Sequence, residues 1–105
     1  MAQTSNVFYM VFAINSVSNM KYNLHKEGNK QMLHWNYICV GSTHPYKTKR
    51  LASAKLALNK ARWKFGHCLK EIYIVKFTPT DNGETKEEKV FSMDETKINN
   101  KYLVV

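Results

Sequence analysis

The 105-residue chain has little of several things, and each scarcity closes off a class of protein. It holds two cysteines, Cys39 and Cys68. Small secreted domains stapled by disulfides carry more, so a reduced, cytoplasmic protein is expected. Four glycines and two prolines exclude collagen-like and low-complexity chains. No apolar run approaches the roughly 20 residues that cross a bilayer. The first residues also lack the charged start and cleavage site of a signal peptide, so neither membrane insertion nor secretion is expected. Acid is scarce too: 8 Asp and Glu stand against 16 Lys and Arg, a net charge of +8.

Catalytic and metal signatures are equally thin. His25, His34, His44, His67, Cys39 and Cys68 form no C-x-x-C and no H-x-x-x-H pair. Cys39 with His44 offers two ligands at most, and Cys39 reads as a small core residue. His67 and Cys68 follow a helix end, where the dipole raises a thiol pKa instead of lowering it. There is no G-x-S-x-G, phosphate-binding loop or dinucleotide fingerprint, so no metal or cofactor is expected from motifs.

What the chain does have is apolar material, 44% hydrophobic and 12% aromatic, enough to bury one domain's core over residues 1–105. Residues 7–14 (VFYMVFAI) are continuous, β-branched and aromatic, and predict a central strand buried on both faces. Met20, Tyr22 and Leu24 alternate with Lys21, Asn23 and His25, the pattern of a strand with one wet face. Glu27, Gly28 and Asn29 suit a turn. Alternation then resumes over 33–40, giving three antiparallel strands.

After a loop at 41–45, Thr48 is placed to cap a helix running to about Phe65, with Gly66 as its stop. Leu51, Ala54, Leu58, Ala61 and Phe65 make one apolar stripe, which should lie on the sheet. Residues 71–77 (EIYIVKF) predict another doubly buried strand. Asp81, Asn82 and Gly83 form a turn into a weaker strand near 89–93, Asp94 can cap, and Tyr102 to Val105 end the chain as an edge strand or docking segment. The expectation is an α+β domain: a mainly antiparallel sheet of about five strands with one principal helix packed on it.

The basic surplus is concentrated in the middle. Residues 47–76 hold nine basic residues (Lys47, Lys49, Arg50, Lys55, Lys60, Arg62, Lys64, Lys70 and Lys76) against Glu71 alone. Such a field attracts polyanions, nucleic acid first among them. Opposite the apolar stripe, at 100° per residue, fall Lys49, Ser53, Leu56, Lys60, Trp63 and Lys64. A Leu and a Trp on an outward face need a reason. Three are open: the C-terminal tail covers them, they form a protein-docking patch, or Trp63 stacks on a base beside phosphate-binding lysines. The hydroxyl-rich, basic 42–50 segment precedes the helix N-terminus, where backbone N–H groups can receive a phosphate alongside Lys47, Lys49 and Arg50.

Several of these features also resemble the GIY-YIG nuclease domain. The strand VFYMVFAI, the later YICVGST, Arg50 in a helix and the FGHCLKEIYIVKF segment follow that family's order over about two-thirds of the chain. The resemblance assigns Tyr9 to the first motif's Tyr, Gly41 to the second motif's Gly and Arg50 to the helical Arg. It departs in having Val7 for the first Gly, Cys39 for the second Tyr and about thirty residues between the motifs. Tyr37 on the same strand would substitute for the missing Tyr, and Glu95 would stand for the metal-binding Glu. The resemblance implies Mg²⁺-dependent phosphodiester cleavage, with the carboxylate holding the ion and the Arg neutralising phosphate charge. The strand, loop, KTKR and helix succession is also loosely similar to the DNA-binding modules at the front of phage recombinases.

These readings rank into three functional expectations. The first is a non-enzymatic nucleic-acid-binding module in which Lys47, Lys49, Arg50, Lys60 and Lys64 contact phosphates and Trp63 stacks or anchors. The second is a phage-type inhibitor or adaptor that docks through Leu56 and Trp63 on host nucleic-acid-handling machinery. The third is the divergent nuclease of Tyr9, Tyr37, Arg50 and Glu95.

Overall fold

The computed structural model describes residues 6–27, 32–37 and 45–100; for 26, 27, 32–37 and 65 it describes the backbone. In chain order the elements are β1 (Phe8–Asn15), β2 (Lys21–Glu27), β3 (Met32–Tyr37), α1 (Leu51–Phe65), a 3₁₀ turn (Gly66–Cys68), β4 (Leu69–Pro79), β5 (Thr85–Asp94) and α2 (Glu95–Ile98). The strands form one five-stranded sheet in the order β3-β2-β1-β4-β5. Every neighbouring pair is antiparallel. The α+β fold is therefore as expected, and β1 lies in the middle of the sheet as its unbroken apolar run requires.

Helix α1 lies across β1 and β4. The core between them holds Val11, Ala13 and Leu24 from the sheet's first half, Ala54, Ala57, Leu58 and Ala61 from the helix, and Ile72, Ile74 and Met93 from the second half. Three of the four helix residues are alanines, which lets the helix sit close to the strands. Leu58 is the large residue among them and is fully buried, a burial that stabilises by about 1.5–3 kcal/mol. Leu51 is half-buried at the start of the stripe.

Three details differ from expectation, and Gly66 stops α1 where expected but for a different physical reason. Helix α1 starts at Leu51 with Arg50 as an N-cap that makes no side-chain bond. Thr48 is instead held in a bridge with Tyr9, and its Oγ1 accepts from the Arg50 N–H at 3.3 Å. Gly66 ends the helix with an ordinary right-handed backbone, φ −56°. Its value is closeness: a Cβ there would sit 2.9 Å from Ile98 Cγ2 of α2. β5 spans Thr85–Asp94, longer than the 89–93 core expected, because Lys86 to Lys89 continue the ladder with β4. On β2, Asn23 and His25 are buried, not wet. There the segment 45–48 inserts between β2 and β1: the Tyr46 N–H donates to the Leu24 carbonyl at 2.8 Å, and Tyr9 and Thr48 exchange two backbone bonds.

The local signals near β5 act as expected. Gly83 takes φ 85° in the β4–β5 turn, and the Asp94 carboxylate accepts from the Lys97 N–H at 3.1 Å to cap α2. The expected turn at 28–29, the end of the third strand at 38–40, most of the 41–45 loop and the tail at 102–105 lie outside the described residues. Among the described residues, no helix is long and apolar enough to cross a membrane.

Candidate functional site

The two faces of the sheet carry different chemistry. On the face opposite α1, Phe12, Tyr73 and Val75 form a second apolar cluster flanked by Met10, Ile14 and Phe77. Phe8 stacks on Phe77 with ring centres 5.0 Å apart and planes 8° apart, and Phe12 stacks on Tyr73 at 5.6 Å. This is the second burial that the patterns of β1 and β4 demand, supplied by a layer of rings. Lysines cap the rings: Lys21 Nζ lies 4.9 Å from the Phe12 ring centre, Lys89 Nζ 4.3 Å from that of Tyr73, and Lys47 Nζ 5.0 Å from that of Phe8. Lys89 also pairs with Glu71 at 2.8 Å. Burial, and then the Glu71 charge, push the Tyr73 phenol above its ordinary pKa, so this face keeps a neutral phenol.

Lys47 therefore serves the ring face, away from the outer face of α1. Lys49 and Arg50 are exposed at the helix start, and Lys60 and Lys64 are exposed on the helix itself. Leu56 and Trp63, seven residues apart on the same outer stripe, are 66% and 56% exposed. Lys49 falls before the first helical residue, so its expected place on the helical wheel does not hold, and the helical part of the stripe, Ser53 to Lys64, runs about 16 Å at 1.5 Å per residue. Sequence reasoning thus locates an outward face that combines cations with two large apolar side chains.

It misses Arg62. Counted from sequence as one more surface charge, Arg62 is 2% exposed. Its Nε donates to the Ile98 carbonyl at 3.0 Å, Nη1 to Asn59 Oδ1 at 3.2 Å, and Nη2 to the Asn100 carbonyl. A guanidinium beneath the last carbonyls of α2 satisfies groups that a helix end leaves open. The same guanidinium lies 5.0 Å from the centre of the Trp63 ring. Nothing in the sequence marks this arrangement, because the two carbonyl acceptors lie 36 and 38 residues away on the chain.

The residues that the nuclease resemblance selects fall at two ends of the molecule. Tyr9 and Arg50 lie close together through the Tyr9–Thr48 bridge. Glu95 begins α2 at the opposite end of β1, beyond Asp94, which pairs with Glu71 and through it with Ile14. Tyr37 closes β3 opposite Tyr22, and Gly41 lies outside the described residues. No group of three or more His, Cys, Asp or Glu side chains is placed to hold a metal ion among the described residues. Cys68 is a half-buried free thiol in the 3₁₀ turn. Comparison with protein-family models, curated proteins and solved structures returns no match.

Proposed function

We propose that the protein is a small nucleic-acid-binding module that acts without catalysis, through the outer face of α1 and the residues just before it. The observation that carries this reading is the coincidence, on one exposed helical stripe, of Lys60 and Lys64 with a 56% exposed Trp63, with Lys49 exposed just before the helix begins. Arg50 extends the charge at the helix start. Ammonium groups neutralise phosphates and release counterions, and an indole adds a surface on which a base can rest. Lys47, turned to the ring face, contributes to the overall field and not to this stripe.

Fluorescence anisotropy with labelled oligonucleotides at two salt concentrations tests it. Binding should weaken steeply with salt, and replacing Lys49, Lys60 and Lys64 by Gln should flatten the log–log slope by about one for each phosphate no longer neutralised. Affinity that is independent of both salt and these lysines would refute the reading. The 66% exposure of Leu56 supports a second one, an inhibitor or adaptor that docks on a nucleic-acid-handling protein, since a phosphate backbone gains little from a leucine. Under that reading Leu56→Ala weakens capture of a protein partner and leaves oligonucleotide affinity alone.

A further inference from the structure

We infer that the outer face of α1 selects unpaired bases, with Trp63 as a stacking platform that Arg62 holds in place. This rests on the nucleic-acid reading above and names the form of nucleic acid. The indole is attached to a rigid element and has a planar neighbour, the Arg62 guanidinium, 5.0 Å from its ring centre. That guanidinium is itself fixed by the Ile98 and Asn100 carbonyls and by Asn59, and it is 2% exposed. A cation against an indole in a water-poor setting is a stronger contact than one at the surface, so the ring is pre-positioned before any ligand arrives. More than half of the indole residue stays open to solvent.

A base in a duplex has both π-faces occupied by its neighbours and offers the ring nothing. An unpaired base offers a free face. Lys60, three residues before Trp63, places an ammonium group beside the ring for an adjoining phosphate, and Lys64, one turn on from Lys60, extends the charge along the helix. The lysines therefore hold single and double strands alike, and the indole alone distinguishes them. Arg62 is a positioning residue in this scheme.

The test compares a fluorescein-labelled oligo-dT and oligo-U with a duplex of the same length, in low salt, on wild type, Trp63→Ala, Trp63→Phe and Arg62→Lys. Trp63→Ala should lower single-strand affinity by about 5- to 150-fold, the range for losing one stacked base, with duplex affinity within about twofold. Trp63→Phe should recover most of the loss. Arg62→Lys, where circular dichroism shows it folded, should lower single-strand affinity selectively. If Trp63→Ala leaves single-strand affinity unchanged, or lowers both forms equally, the inference fails while the nucleic-acid reading stands, and the indole is then a protein anchor. If no oligonucleotide binds wild type in low salt, both fail together.

Discussion

Helix α1 has two faces, and they invert the usual relation between size and burial. Its inner face is lined by Ala54, Ala57 and Ala61 with Leu58, all buried, whereas Leu56 and Trp63 stand in solvent on the outer face. Hydropathy alone would put the largest apolar side chains inside. The sheet explains the inner face: β1 and β4 already bring Val11, Ile72 and Ile74 to the contact, so the helix supplies small residues and approaches closely. Among the described residues, Leu56 and Trp63 belong to neither apolar cluster. Packing sets the inner face, and on the function proposed above the outer face serves a ligand.

Two leucines two positions apart give the sharpest way to break this comparison. Leu58→Ala should lower stability by about 2–5 kcal/mol through the missing transfer energy and the cavity left behind. Leu56→Ala should shift it by no more than about 0.5 kcal/mol. Urea unfolding followed by circular dichroism measures both. Comparable destabilisation by the two would mean that Leu56 is covered in solution and that the outer face is part of the core.

The next test addresses Arg62, whose buried guanidinium binds the end of α2. Arg62→Met keeps the bulk but strips hydrogen bonds from the Ile98 and Asn100 carbonyls and from Asn59. Each buried group left without a partner costs about 1–3 kcal/mol. Hydrogen exchange should speed up most in α2, whose Asn99 and Asn100 N–H groups bond back to Glu95 and Lys97. Uniform acceleration through the whole sheet would show that the guanidinium supports the core in general and not this helix end.

Gly66 refines the same junction. Its φ of −56° is one any residue adopts, and by propensity alone Ala would be favoured there by up to about 1 kcal/mol. The 2.9 Å approach of Ile98 Cγ2 reverses the sign, since Ile98 is buried, β-branched and unable to swing clear. Gly66→Ala should therefore destabilise by about 1–3 kcal/mol. Adding Ile98→Ala should remove most of that penalty relative to Ile98→Ala alone, a coupling that a thermal double-mutant cycle reads directly.

These residues also mark how far the sequence can be read. β1, β4 and the α1 stripe are legible because β-branched runs and 3.6-residue spacing are local signals. So are the Asp94 cap and the Gly83 turn, where the relevant partners lie within four residues. Arg62, Gly66 and the Asn23–His25 pair escape such reading because their environments come from distant chain: the Ile98 and Asn100 carbonyls, the Ile98 methyl, and the inserted segment 45–48. The ring face is half legible, since burial on both sides is evident but its closure by lysines from β2, β5 and the 45–48 segment is not. The outer stripe of the candidate site is visible as an anomaly, and its support from beneath is not.

The smallest expected effect lies on the ring face and depends on pH. Glu71 is only partly screened from solvent, and burial alone would raise its pKa. Hydrogen bonds from Lys89 and Ser92, together with the charges of Lys89 and Lys70, outweigh that and hold it below the ordinary carboxylate value. A carboxylate whose folded pKa is depressed adds stability that is complete above its unfolded pKa and is lost as pH falls through the folded one. Because Lys89 is half exposed, solvent screening limits the pair to less than about 1 kcal/mol. Glu71→Gln should therefore lower the melting temperature slightly at neutral pH and not at all in strong acid, where wild type has lost the same charge. A difference that persists undiminished in acid would show that Glu71 acts through packing against the Tyr73 ring layer, and that this face, like the inner face of α1, is governed by shape and not by charge.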